Sequence, residues 1–432
     1  MPRYLALSCA LIILLLFSAC CANRKEASTV DYQSVPLDHE FTSSELAEMN
    51  NSFAFKLWQE IDSKDQNMFL SPYSITTAMG MAYTGARGNT ANEMGQVMGY
   101  RYNPQQQHLL FQASRNQLDE VQGRKKAQLH VANAMFSSNR NKSRSVPEFS
   151  QILQDSFLSE LKYLDFNKAK ETADYINNWV EERTNNRIKD IVSEDQIAQS
   201  NDGLVLVNSI YFKSAWASPF NEEATGEDKF YTSSKRDEDQ YIMHPLMHQT
   251  DNFYYARVPE GELLQLPYED YDLSMVIMLP DDIDAVSAKL DKETWLNWMN
   301  KLNKFSKVQV TLPKFRLEQT LAKLPDTFMS MGIKDAFDSD RADFSGILSL
   351  SPNENLYITN IVHKAFLEVV ESGTEAAAAT QIGFAVTSAH PVRPQEPIVF
   401  RADKPFLCMI IHKASNEILF MGRVQKPSLA ED

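Results

Sequence analysis

The chain has 432 residues, 43% hydrophobic and 23% charged, with 42 basic against 57 acidic side chains for a formal net charge of -15. This composition belongs to a globular protein with enough apolar material for a large core, and it excludes both a disordered chain and the basic footprint of general nucleic-acid binding. No low-complexity linker or internal repeat divides the sequence, so one large domain behind a short leader is expected.

Residues 1–21 read as a targeting segment. Arg3 supplies a small positive start, and residues 4–17 form an apolar run too short to span a bilayer comfortably. Its end, Phe17-Ser18-Ala19-Cys20, resembles a bacterial lipoprotein signal, which implies lipidation of Cys20. Phenylalanine stands where leucine is usual, and a plain secretory signal cut near Ala22 is the alternative. Residues 22–41 are polar and aperiodic and read as a flexible tether. Cys9, Cys20 and Cys21 fall in the leader, leaving Cys408 as the only cysteine of the body. An exported protein without a body disulfide has to rely on its core, which is reasonable at this size. Cys408 lies in the apolar run 406–411, so a buried structural thiol is expected.

Thr42 and Glu45 have the spacing of a capping box, and Leu46, Met49, Phe53, Leu57 and Ile61 follow at helical spacing. In residues 67–75 a short strand runs into Ser71 as N-cap, with Pro72 at the first helical position. The helix behind it is rich in small residues and methionine and can pack deep. Residues 85–90 are glycine-rich but lack the lysine of a phosphate loop, so they read as a turn before a helix capped by Thr90 with Glu93. Residues 128–136 read as a strand, with Arg140, Lys142 and Arg144 beside it as a solvated surface, and helical periodicity returns around 173–180. Residues 204–212 form an apolar run interrupted by Asn208, which suits a strand buried on both faces whose amide must find partners. Two apolar runs, 263–267 and 273–280, flank a polar bend and read as a hairpin of a second sheet. Residues 308–315 alternate as a strand, and 324–337 read as helix and turn. His363, alone on a buried strand, reads as a satisfied core histidine.

Residues 371–388 are the most informative. Thr374, Ala376, Ala378 and Thr380 take every second place, and Ile382, Phe384 and Val386 continue the phase. In a strand these would share one face, small at first and larger later. The glycine before them and Pro391, Pro394 and Pro397 after them mark a loop. The segment reads as a loop able to become a strand. The sequence offers little to an enzyme: no G-x-S-x-G elbow, Ser43 where a zinc-protease helix beginning at His39-Glu40 needs its second histidine, and no C-x-x-C pair. No catalytic residue, metal or cofactor is expected.

Residues 67–75, 185–191, 207–216 with Pro219 and Phe220, 308–315, 342–347, 361–366, 371–380, 400–406 and 420–424 closely resemble the motifs of the serpins, the serine-protease inhibitor superfamily; the likeness runs from about Glu45 to Pro427. It implies the α+β serpin fold: a large central mixed β-sheet, further β-sheets, about nine helices and an exposed reactive loop at 371–397, all within one domain, 42–432. It also implies a hinge of Glu371, Gly373, Thr374, Glu375, Ala376, Ala377, Ala378, Ala379 and Thr380. Ser71, Ser74, Asn208 and His363 are the implied shutter beneath the sheet, and Trp216 lies near the end where insertion begins. The implied activity is suicide inhibition: a protease cleaves the loop, forms an acyl-enzyme, and is trapped as the loop inserts into the sheet. Thr374, Ala376 and Ala378 are neither charged nor bulky, so an inhibitor is expected rather than a non-inhibitory scaffold.

Counting on the family's pattern from Glu371 places the scissile bond at Thr387-Ser388. Val386 and Thr387 suit elastase-like or subtilisin-like proteases, whereas Arg393 lies beyond the bond and precedes Pro394, which argues against trypsin-like targets. The connector from 388 to 400 is longer than in many serpins, so Phe384-Ala385 or a bond near Ala389 are alternatives. Serine proteases are the expected partners, papain-like cysteine proteases the alternative; neither nucleic acid nor oligomerisation is expected. The expected location is extracytoplasmic, secreted or tethered to the cell envelope through Cys20.

Overall fold

A computed structural model describes residues 30–429 except 34, 37, 38, 124–126, 270, 353 and 375–395. The chain divides into two units, Met1–Asp31 and Tyr32–Asp432. Of the first only Val30 and Asp31 are described, so Cys20 and the leader lie outside the described residues. The second unit holds everything that follows. The expected tether at 22–41 is too long: Tyr32, Val35 and Phe41 pack against the core, the Phe41 ring meets Tyr102 edge-on at 5.2 Å, and the Gln33 N–H donates to the Arg101 carbonyl. Three apolar side chains scattered among polar ones leave no periodic signal, yet they suffice to seat an irregular segment.

The described residues hold ten α-helices, eight of them eight residues or longer. They are α1 (Ser43–Ile61), α2 (Pro72–Gly85), α3 (Gly88–Met98), α4 (Pro104–Gly123), α5 (Pro147–Phe157), α6 (Ala169–Arg183), α7 (Glu194–Ala198), α8 (Ile283–Ser287), α9 (Lys292–Lys301) and α10 (Leu324–Met331). Local chemistry starts several of them. Thr42 and Glu45 form the anticipated capping box on α1. Ser71 caps α2 through the Ser74 N–H, with Pro72 following. Thr90 does not cap α3, which starts two residues earlier behind Arg87; its hydroxyl instead accepts the Asp343 N–H at 2.9 Å, while the Glu93 carboxylate accepts the N–H groups of Lys334 and Asp335. A tertiary strap has taken over side chains that look like a local cap.

The strands form two sheets. The first has the order β10 (Phe315–Leu321), β11 (Ile358–Val370), β12 (Gly373–Thr374), β4 (Leu204–Ala215), β2 (Ala127–Ser138) and β3 (Leu161–Leu164), with β11 also pairing β4 directly. It is mixed: β11 runs parallel to β4, β2 antiparallel. The second runs β1 (Met68–Leu70), β15 (Glu417–Val424), β14 (Phe406–His412), β8 (Leu273–Pro280), β7 (Gly261–Pro267), β6 (Tyr241–Val258), β9 (Phe305–Pro313) and β13 (Ile398–Arg401), with β5 (Gly226–Tyr231) on β6. β4 is buried on both faces, as its apolar run predicts. On β4, Leu204 and Leu206 face a core shared with α1 and α2, Ile210 and Phe212 face the second sheet, and Val205, Val207 and Tyr211 face α6. Cys408 is buried as expected, and burial pushes its thiol up to about 12.

Candidate functional site

The site lies along the seam between β4 and β11. Over their first part the strands pair directly, from Leu204 opposite Ile358 to Tyr211 opposite Phe366. Farther on they diverge, and β12 fills the gap: Thr374 lies opposite both Val369 and Ser214, and Gly373 opposite both Val370 and Ala215. The sheet thus holds the first two residues of an extra strand, antiparallel to both neighbours.

The fit of those two residues is specific. Gly373 has φ +152°, and a Cβ there would stand 2.2 Å from the Ser214 carbonyl oxygen and 2.6 Å from the Ala215 Cα, so only glycine fits. Thr374 is fully buried, its hydroxyl 2.8 Å from that of Tyr268. Tyr268 stacks on Trp216 with centroids 4.6 Å apart and planes 10° from parallel. The Trp216 indole N–H donates to the Val370 carbonyl at 3.1 Å, and its backbone N–H donates to the Ser372 carbonyl at 3.0 Å. Glu371 is buried and paired with Lys314 at 3.1 Å. Burial opposes its ionisation, but hydrogen bonding to its backbone and to Lys314 outweighs this and holds the carboxyl below the usual range. The loop expected to be exposed from residue 371 is therefore buried or half-buried through Thr374, with Gly373 and Thr374 already in the sheet: Trp216, Lys314 and Tyr268 supply partners for groups that the local sequence leaves unpaired.

Five residues behind the directly paired part come from distant points of the chain. Asn133, Asn208 and His363 stand side by side on β2, β4 and β11, because Asn208 lies opposite both Asn133 and His363. The N-terminal turn of α2 sits against them. The Ser71 N–H donates to His363 Nε2 at 3.1 Å, so the proton is on Nδ1, which donates to Asn208 Oδ1. The Asn208 amide faces three acceptors: the Ser74 carbonyl at 2.7 Å, the Ser74 hydroxyl and Asn133 Oδ1. Ser71 Oγ accepts from the Ser74 N–H at 3.1 Å and donates to the Leu419 carbonyl at 2.6 Å, tying the group to β15. His363 is fully buried, and burial lowers its pKa to about 3, so it is neutral at physiological pH. A fully satisfied polar cluster in an apolar interior specifies a single arrangement of the three strands and the helix.

Of the expected residues, Ser71, Ser74, Asn208 and His363 meet here. Trp216, Glu371, Gly373 and Thr374 meet at the other end of the seam. Glu375, Ala376, Ala377, Ala378, Ala379, Thr380, Thr387 and Ser388 lie outside the described residues. Asn133 and Tyr268 were missed. Asn133 carries a signal like that of Asn208, an amide in a strand that is otherwise apolar on that face. Tyr268 carries none, because it looks like part of a polar bend.

The family described as Serpin (serine protease inhibitor) matches residues 48–427. An uncharacterised serpin-like protein of Thermococcus kodakarensis is 39% identical over 87% of this chain and 84% of that protein. The leukocyte elastase inhibitor of Xenopus tropicalis is 36% identical over 87% of this chain and 97% of that protein. Among solved structures, native protease nexin-1 with heparin covers 89% of this chain and 100% of its own, with a TM-score of 0.78 and 28% identity. A highly specific serpin of the insect Tenebrio molitor covers 90% and 100%, with a TM-score of 0.76 and 27% identity. The architecture is the serpin fold.

Proposed function

The chain belongs to the serpin family, and on that premise we propose that it is a suicide-substrate inhibitor of serine endopeptidases, with elastase-like or subtilisin-like enzymes as targets. The observation that carries this reading is the partly filled slot between β4 and β11. Gly373 and Thr374 stand where an added strand begins, and the residues that would follow are small on the inward face.

The register sharpens the reading. Carried forward from Thr374, it would bring Ala376 level with Phe212, Ala378 with Ile210, Thr380 with Asn208, and Ile382 with Leu206. On β11 the same step brings Thr380 level with His363. A hydroxyl would then arrive at the polar row, and apolar side chains would arrive wherever the facing residues are apolar. Thr380 can both donate and accept, so it can replace the hydrogen bond between His363 and Asn208 that its entry would break.

The chemistry belongs to the target. Its nucleophile attacks the Thr387 carbonyl carbon, the bond to Ser388 nitrogen breaks, and the amine leaves with the proton delivered by the protease base. The freed segment then extends β12. About 14 residues at roughly 3.3 Å each carry the acyl-enzyme on the order of 45 Å. Displacing the protease's oxyanion donors and water by about an ångström stalls deacylation. The chain acts as a trap and supplies no catalytic group.

We also place the protein outside the cytoplasm, tethered by a lipid on Cys20. Mass spectrometry of the mature N-terminus tests that; an unmodified residue near Ala22 there would exclude it. The inhibitory reading is tested by incubating the body with elastase-like, subtilisin-like and trypsin-like proteases, followed by denaturing gels and mass spectrometry of the C-terminal fragment. A boiling-resistant complex and a fragment starting at Ser388 are expected with the first two. Clean cleavage with the protease left active would make the chain a non-inhibitory member of the family.

A further inference from the structure

Around the two ends of residues 375–395 the surface is not evenly polar. Phe305 and Tyr271 are 63% and 60% exposed, and Tyr254 is 37% exposed. Tyr254 lies opposite Phe305 on neighbouring strands, their ring centroids 5.3 Å apart. Tyr271 joins them across a cleft of about 230 Å³, floored by Gln265 and bordered by Ala217 and Lys413. Tyr271 also has φ +62°, a left-handed conformation that costs a bulky residue strain, and the turn held there presents its ring outward. Clustered exposed aromatics beside a cleft mark interaction surfaces, where tyrosine is favoured at binding hot spots.

The position of the patch says what reaches it. The last described residue before 375–395 is Thr374, whose partner Ser214 is three residues before Ala217. After them the described chain resumes at Glu396, and Ile398 pairs with Val308, three residues along β9 from Phe305. Both ends of the 21 residues 375–395 are therefore anchored beside this cleft. The apex of such a segment stands at most roughly 35 Å from its anchors. A protease domain is on the order of 45 Å across. A protease that cuts the segment is therefore large enough to reach the patch.

We propose that Tyr254, Phe305 and Tyr271 form an exosite that docks an apolar projection of the attacking protease beside the loop, so that target choice depends on this cleft as well as on the residues at the scissile bond. The inference rests on the loop being the protease's substrate, as proposed above. It does not require that the protease be trapped.

The test separates the two. The rate of loop attack, as the second-order rate constant for loss of intact chain, is measured with elastase-type and subtilisin-type proteases for the wild type, Phe305→Ser, Tyr271→Asn and the double variant. Met243→Ser, on another exposed apolar residue, is the control. The double variant should be attacked about tenfold more slowly by a protease that uses the cleft, with thermal unfolding no lower than that of the wild type and an unchanged cleavage position, and Met243→Ser should match the wild type. Equal rates for all variants with every protease that cuts the loop would overturn the exosite while leaving inhibition intact. Cleavage without a complex, but still tenfold slower in the double variant, would leave the exosite standing and remove the inhibitory reading. A chain that no protease cuts would remove both. Self-association of the wild type that the double variant abolishes would assign the cleft to a second copy and overturn the proposal.

Discussion

β4 and β11 meet in two different ways within one strand length. Where eight residue pairs face each other directly, the seam is closed by side chains: His363 and Asn208 bridge it, and Ser71 and Ser74 hold that bridge from below. Where the strands part, the seam is held open by backbone: Gly373 and Thr374 satisfy the ladder on both sides, supported by the Thr374–Tyr268 hydroxyl pair, the stacked Trp216 indole with its bonds to the Val370 and Ser372 carbonyls, and the Glu371–Lys314 ion pair. The cluster of Ser71, Ser74, Asn133, Asn208 and His363 is hydrogen-bonded throughout, although the Ser209 hydroxyl beside it on β4 is buried without a partner. The closed half loses hydrogen bonds when it opens, whereas the open half needs only more strand to continue. In the proposed mechanism this asymmetry would give insertion a direction, from the glycine end toward the histidine.

The strongest way to break the contrast is a charge in the open half. Thr374→Arg would bury a guanidinium beside Tyr268, and an uncompensated buried charge costs several kcal/mol. Trapped complex should fall at least about 100-fold relative to cleaved chain, a loss of roughly 2.7 kcal/mol in partitioning, read by gel densitometry. Wild-type partitioning in that variant would show that entry does not begin here. Next, His363→Ala removes the closing bridge and leaves the Ser71 N–H and Asn208 Oδ1 buried without it. Urea unfolding should show a loss of about 2–4 kcal/mol.

The pH dependence distinguishes the seam from the rest of the core. His363 is depressed from 6.5 to about 3 by burial. Its contribution is complete above pH 6.5 and is lost as pH falls toward and through 3, because the unfolded chain binds the proton more readily. Glu417, under α1 and α4, is the opposite case. It accepts hydrogen bonds from Asn50 at 3.2 Å and Ser114 at 3.0 Å, but burial raises its pKa from 4.5 to about 8. Its contribution is complete below pH 4.5 and is lost as pH rises through 8. Thermal unfolding from pH 3 to 9 should show His363→Gln flattening the acid limb and Glu417→Gln flattening the neutral-to-alkaline limb, each by up to about 1.4 kcal/mol per pH unit. Equal effects on both limbs would show that the two sites are not separable. The smallest effect is expected from Trp216→Phe, which keeps a ring against Tyr268 but loses the bond to the Val370 carbonyl. A loss of about 1 kcal/mol is expected in urea unfolding.

Much of this was visible along the chain. The capping box of α1, the cap of α2 by Ser71, the hairpin of β7 and β8 and the inward phase of Thr374 are local patterns, and they are found where residue type and spacing put them. The errors share a cause. Thr90 and Glu93 have the spacing of a cap but bind a distant strap; residues 32–41 look like a tether but seat three apolar side chains; residues 371–374 read as the start of a loop, but Glu371 and Ser372 form a tight turn that puts Gly373 and Thr374 in the sheet. In each case a tertiary partner outweighed the local preference.

What the sequence determined alone is which side chains want to be buried, where helices start, and that one segment can serve as loop or strand, because those properties depend on neighbours within a few residues. Only the tertiary structure decided that Ser71, Asn133, Asn208 and His363 touch, that Tyr268 receives Thr374, and that Tyr254, Phe305 and Tyr271 line one cleft. Periodicity records the face on which a residue lies. The residue it meets depends on strand order and register, and those are set by packing the sheets and helices together.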